Sequence, residues 1–261
     1  MPRPAVPPAL TPGWGIRGPA AATLRLGASE RSVVDEAAVL GRFADAEARA
    51  RSGLPIGEAQ TGLAEAMLAA GAAALEVPLP AGTAPSAAAA AVGELADRLR
   101  SPLVVATSES ACAAAALDAG AAGVLPLAPP PAALLAALAA SNATMILLVD
   151  AWEGADAGTL AEIATSAVTA GLPAERLLLD HRLLRVAPDA PGLAVVASDP
   201  PEAAPSSTSP AARGHRSAAF ALAIARGARL LRTTDVRTAR RTSTTLAAVR
   251  QERASHLGAP A

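Results

Sequence analysis

The sequence contains no lysine and no tyrosine, one cysteine, one asparagine, two Trp and two Phe in 261 residues. Without lysine there is no Schiff-base amine and no P-loop ammonium, and without tyrosine no phenolic proton donor. A single Cys112 excludes an intrachain disulfide and any Cys-based zinc cluster. It sits in an Ala-rich helical run and reads as a buried, inert thiol. Charge is absent from residues 119–149, a stretch long enough to cross a bilayer, but Pro126, Pro129, Pro130, Pro131 and the Ser141-Asn142 pair divide it into two strands and a helix. The first 12 residues are Pro-rich and lack the apolar core of a signal peptide. Residues 1–22 therefore read as a disordered tail, and the expected protein is soluble and cytoplasmic, with no membrane partner.

What is present is a 52% hydrophobic chain, mostly Ala, with 17% charged residues and a formal net charge of -1. That composition supports a packed core of small side chains. The charge is unevenly placed. Residues 213–261 hold ten Arg against Asp235 and Glu252, net +8, whereas the remainder carries 12 Arg against 21 acids, net -9. Arg237, Arg240 and Arg241 share one helical face, which reads as a solvated face or as a site that attracts anions. With no lysine, no interleaved aromatics and no recognisable nucleic-acid module, a nucleic-acid partner is not expected.

Short Val/Leu/Ile-rich runs that close on a polar residue fall at 23–27, 73–79, 103–108, 123–127, 144–150, 176–180, 193–198 and 228–234. Helical patterns fill 57–70, 87–99, 109–119, 131–140, 157–170, 214–226 and 236–252, with a first helix expected within 34–52. No good helix separates strands six and seven. Gly71, Gly120, Gly171 and Gly227 each follow a helical run and precede a strand, as C-caps do. This alternation predicts a parallel sheet, and its cadence of eight strands predicts a single-domain α/β (β/α)8 TIM barrel over residues 23–254, with a short tail at 255–261. Residues 82–85 and 199–212 are expected to be irregular, the second as a long loop after strand seven.

Ligands of such barrels bind at the C-terminal ends of the strands. The polar residues there are Glu76, Thr107-Ser108, Asp150, Asp180-His181, Ser198-Asp199 and Arg232 with Thr233, Thr234 and Asp235. Most, Asp150 and Ser108 among them, read as N-caps of the next helix. Arg232 does not, because capping has no use for a guanidinium inside a strand. Its fork of donors suits a phosphate or carboxylate, or an ion pair with Asp235 or Asp180. His181, His215 and His256 are too scattered for a metal cluster, and adjacent Asp180 and His181 cannot form a hydrolytic triad with Ser198.

Four segments, GAAALEV at 71–77, LVVATSESACAAAALDAGAAGVLPL at 103–127, AGLPAERLLLD at 170–180 and RSAAFALAIARGARLLRTTDVRTARR at 216–241, resemble the dihydropteroate synthase family in sequence and spacing. The last is the most specific: the family's final strand reads R-V-H-D-V, and this chain has Arg232-Thr233-Thr234-Asp235-Val236. The resemblance implies a (β/α)8 barrel that joins a dihydropterin pyrophosphate to p-aminobenzoate with Mg²⁺ assistance, commonly as a homodimer. It implies that Asp180 reads the pterin amino groups, that Arg232 takes the pyrophosphate, that Glu76 stands where strand two has Asp, and that Thr234 stands where the arginine's histidine partner would be. Asp180, Arg232, Thr234 and Glu76 are the expected substrate-binding set, and no catalytic or metal-ligating residue is assigned.

Other family positions are replaced. The strand-one asparagine is missing from TLRLGASERS, and the Gly-Glu-Ser-Thr-Arg-Pro loop is PLPAGTAP. The strand-three Asp is Ala106, the strand-four Asn-Asp is Leu125-Pro126, and the Ser-Arg-Lys after strand seven is Ser198-Asp199-Pro200. Each unmet buried polar group costs about 1 to 3 kcal/mol, so losing four or five removes most of the binding energy of a tight small-molecule complex. The expectation is a degenerate barrel keeping weak pterin or phosphate affinity, with Mg²⁺ relevant only if the family's pyrophosphate chemistry survives. The alternatives are a barrel repurposed for another anionic ligand and a non-catalytic partner of itself or of an active paralogue.

Overall fold

The computed structural model describes residues 36–42, 58–148, 156–180, 193–198 and 209–256. They build a parallel α/β sheet of TIM-like curl. Its strands are β1 (Ala38–Arg42), β2 (Ala74–Pro78), β3 (Leu103–Thr107), β4 (Gly123–Pro126), β5 (Thr144–Leu147), β6 (Leu177–Asp180), β7 (Leu193–Ser198) and β8 (Leu230–Thr233). Each pairs in parallel with the next in chain order, and β8 also pairs with β1. The helices described are α1 (Glu58–Ala69), α2 (Pro85–Leu99), α3 (Ser110–Asp118), α4 (Ala132–Ala140), α5 (Ala157–Thr169), α6 (Pro210–Ala225) and α7 (Val236–His256). One follows every strand but β6, whose connection to β7 lies outside the described residues.

Period-two alternation sorts the strand residues onto two faces. Leu40, Ala74, Val104, Ala106, Leu125, Ile146, Leu178 and Leu230 form one buried cluster inside the ring. Their neighbours Val39, Leu75, Val105, Val124, Met145, Leu177 and Leu231 belong to two outer clusters under the helices. Burying a Leu- or Val-sized side chain contributes about 1.5 to 3 kcal/mol, which is why these short strands need no polar ladder of side chains to hold them.

The helix ends follow the glycine pattern of the sequence. Gly71, Gly120, Gly171 and Gly227 all have φ between 98° and 101°. After each, the next residue donates its N–H five residues back, as from Ala72 to Met67 and from Ala228 to Ala223, closing the helix with a Schellman turn that only glycine enters without strain.

Two expectations are corrected. The part of 34–52 that is described is not helical: Ala38–Arg42 is a strand, and residues 43–52 lie outside the described residues. Gly41 explains it: a Cβ there would meet Leu75 Cδ2 and Met67 Sδ at 3.1 Å, so the run is shaped to press flat against β2 and α1. The strand expected at 23–27 lies outside the described residues, as do the tails at 1–22 and 257–261. The loop expected at 199–212 ends early, since Ser209 accepts from Ala212 N at 3.1 Å and Pro210 occupies the first turn of α6. Residues 199–208 lie outside the described residues.

Candidate functional site

The lumen of the ring is apolar on one side and charged on the other. Strands β3, β4 and β5 present Ala106, Leu125 and Ile146. Four of the other five strands bring charge to their C-terminal ends: Arg42 on β1, Glu76 on β2, Asp180 on β6 and Arg232 on β8. Alternation puts Glu76 on the face of Ala74, Arg232 on that of Leu230, Arg42 on that of Leu40 and Asp180 on that of Leu178. A register shift between Leu179 and Asp180 lies at the rim of β6.

Glu76 and Arg232 are joined. The Arg232 Nε donates to Glu76 Oε2 at 2.5 Å and its Nη2 to Oε1 at 2.7 Å, a fork-to-fork pair between side chains that are 3% and 9% exposed. The register explains how it forms: Arg232 lies beside Leu40 of β1, and Glu76 beside Arg42 of the same strand, so the pair spans the end of β1. The longer arm of Glu, compared with Asp, serves this reach. Removing either partner would strand a charge in the core, whereas the intact bidentate pair satisfies four groups at once.

This corrects the expected acid partner of Arg232. Glu76, which was not among the expected partners, takes its Nε and Nη2. Asp235 instead accepts from Arg216 Nη1 at 2.9 Å and caps α7, its Oδ1 receiving Thr238 N at 3.1 Å and its Oδ2 the Thr238 hydroxyl at 2.7 Å. Burial pushes the Asp235 carboxyl upward, but the Thr238 hydroxyl and amide and the Arg216 guanidinium together outweigh it and hold the group below its ordinary value.

Asp180 is fully buried at the end of β6, separated from β8 by β7. Thr234 is half-buried one residue beyond β8. Thus Glu76 and Arg232 are brought into contact, Asp180 shares their lumen, and Thr234 stands at the rim. Asp150, His181 and Asp199 lie outside the described residues. Ser108 caps nothing, since Glu109 occupies the N-cap of α3 and Thr107 Oγ1 accepts its amide at 3.1 Å.

The residue that sequence reasoning missed is Arg42. It was hidden in a stretch read as helical, yet A-V-L-G-R has the same form as L-L-R-T of β8, a short apolar run closing on arginine. The rim after β2 is fixed rather than open: Gly82 N donates to Glu109 Oε1 at 2.7 Å, and the buried Cys112 Sγ donates to Thr83 O at 2.9 Å. Burial and the nearby Glu109 carboxylate push the Cys112 thiol up, in keeping with an inert role.

No protein-family model matches the sequence, and no curated protein sequence matches it. Solved structures do. Dihydropteroate synthase from Xanthomonas albilineans with 4-aminobenzoic acid superposes at a TM-score of 0.63 and 21% identity, over 88% of this chain and 95% of that one. The fold is that of dihydropteroate synthase. The Thermus thermophilus synthase in complex with 6HMPPP gives 0.62 at 23% identity over 82% of this chain and 95% of that one, and the Burkholderia cenocepacia synthase complexed with 7,8-dihydropteroate gives 0.62 at 20% over 87% and 94%. Identity at this level establishes architecture alone. The first described strand of this chain ends in Gly41-Arg42, and the segment TLRLGASERS lies outside the described residues.

Proposed function

We propose that the chain is a dihydropteroate-synthase-like barrel that retains a small-molecule site at its strand ends but no longer carries out the synthase reaction. The observation that carries this reading is the Glu76–Arg232 fork. A guanidinium whose Nε and Nη2 are committed to a buried carboxylate is held at one position, with Nη1 facing away from the fork, and is not free to follow a departing pyrophosphate.

Each charged residue has a separate task. Asp180, buried at the end of β6, accepts N–H donors from an amino-heterocycle of pterin type. Arg42 and Arg232 place positive charge on the β8–β1 side, the sign an anionic group would meet there. The fully buried cluster of Ala106, Leu125 and Ile146 closes the lumen beneath the strand ends, so a ring would lie above it. A lysine cannot contribute, since the chain has none. Mg²⁺ finds a poor fit, because both oxygens of Glu76 already accept from Arg232, and no step is assigned to the metal.

A second reading, a barrel repurposed for another anionic ligand, is favoured by Arg42, which adds a second guanidinium to the lumen. Calorimetric titration distinguishes the two. The first reading predicts that 6-hydroxymethyl-dihydropterin pyrophosphate binds measurably and that Asp180→Asn weakens it about tenfold or more, the worth of one charge-assisted hydrogen bond. Binding of inorganic pyrophosphate with equal affinity, unaffected by Asp180→Asn, would establish the second.

A further inference from the structure

At the barrel mouth a carboxylate of the chain itself occupies a guanidinium. The Nε–Nη2 edge of an arginine is one that grips carboxylates and phosphates through two parallel hydrogen bonds. On Arg232 that edge is taken by Glu76, with Nε donating at 2.5 Å and Nη2 at 2.7 Å. Of the two side chains Arg232 is the more exposed, 9% against 3%, so an arriving group meets the guanidinium and finds this edge filled. The pair crosses β1 beside Leu40, whose fully buried apolar side chain offers neither charge another partner.

The backbone on either side holds Glu76 in that position. Within β2, Glu76 is in register with Val104 and Val77 with Val105 of β3, and beyond the strand Leu79 N donates to Ala106 O at 2.9 Å. The loop that follows is strapped to α3 by Gly82 N on Glu109 Oε1 and by Cys112 Sγ on Thr83 O, while Thr83 Oγ1 donates to Pro80 O at 2.6 Å. β2 is thereby fixed along β3, and the carboxylate is preorganised against the guanidinium. A competing anion has to displace a group that is already desolvated and is tethered beside its partner, an advantage of effective concentration that a free ligand lacks. An uncharged ligand meets no such competitor.

We propose that Glu76 sets the charge preference of the barrel mouth. As a tethered carboxylate on the Arg232 fork it fills the place of an anionic group, so the mouth takes an uncharged amino-heterocycle as readily as the phosphorylated ester of the same ring. This inference rests on the reading of the mouth as a small-molecule site and adds what that site selects.

The probes are 6-hydroxymethyl-dihydropterin and its pyrophosphate ester, titrated by calorimetry into the full chain, Glu76→Gln and Glu76→Asp. Gln keeps the length of the arm and removes its charge. Asp keeps the charge but withdraws it by one carbon–carbon bond, about 1.5 Å, which takes the two contacts beyond hydrogen-bond range. Circular dichroism identifies the variants that keep the native fold. In the wild type the two affinities should agree within about threefold. Glu76→Gln should bind the ester about tenfold or more tightly than the wild type does, the worth of one charge-assisted hydrogen bond, and Glu76→Asp should shift in the same direction. Affinity for the uncharged pterin should change by less than about threefold in both. A selective gain of affinity is an effect that lost structure does not produce. A wild type that prefers the ester by about tenfold or more overturns the proposal without recourse to any variant. So does a folded variant that gains nothing for the ester while the uncharged pterin still binds. If neither compound binds any of the three proteins, the small-molecule reading of the mouth fails, and this inference fails with it.

Discussion

The Glu76–Arg232 pair shows what a single side chain costs when its neighbour depends on it. Glu76→Gln leaves the Arg232 charge buried without its counterion, and a loss of about 3 to 5 kcal/mol in urea-unfolding free energy is expected. The joint change Glu76→Leu/Arg232→Met should recover most of that loss, and a double-mutant cycle reads the difference. If Glu76→Gln were as stable as the wild type, the pair would not be holding the mouth. Thr144 offers the opposite case. Its hydroxyl is buried with no hydrogen-bond partner in the structure. Thr144→Val, nearly isosteric, should be neutral or stabilising by up to about 1 kcal/mol, read as a raised Tm. These two residues were unequally legible in the sequence. Glu76 and Arg232 stood out as charges inside apolar strands, but their partnership spans 156 positions and comes only from the ring. Nothing local in S-N-A-T-M-I-L distinguishes Thr144 from a satisfied strand threonine.

At the scale of the element, the ends matter more than the middles. Gly227 has a φ of 101° with open space around its missing Cβ, so Gly227→Ala pays for backbone strain alone. About 1 kcal/mol is expected, visible as a lower Tm. The cap of α7 gives a pH signature. The carboxyl of Asp235 is held low in the folded state, so its contribution is fully present above its unfolded value and is lost as pH falls through the folded one. Asp235→Asn should therefore flatten the acid limb of the stability profile and leave the difference from wild type largest near neutral pH. An unchanged acid limb would contradict the assignment. Strands and helices from α1 onward were readable because each has one period and one glycine or proline stop. The first strand was not: AVLGR is too short to show a period, and the Ala-rich run with Asp and Glu around it satisfies a helical pattern equally well. Only pairing with β2 and β8 decides it, and with it the place of Arg42.

The whole molecule has a polarity that its net charge of -1 conceals. The apolar side of β3 to β5 faces a charged half built by β8, β1, β2 and β6, and the arginine-rich α7 packs outside β8 and β1. The fold class followed from the strand and helix cadence, and the likeness to dihydropteroate synthase from four short segments that the superpositions support at the level of architecture. The proposed loss of the synthase reaction concerns the lumen as a unit, where Ala106 and Leu125-Pro126 stand at positions that the resemblance gives to polar residues and Arg232 is bound to Glu76. The direct measurement is formation of 7,8-dihydropteroate from 6-hydroxymethyl-dihydropterin pyrophosphate and p-aminobenzoate, both saturating, with Mg²⁺ present. No product above the enzyme-free background is expected. Turnover at about 1 per second or faster, the ordinary range of an evolved enzyme, would contradict the account.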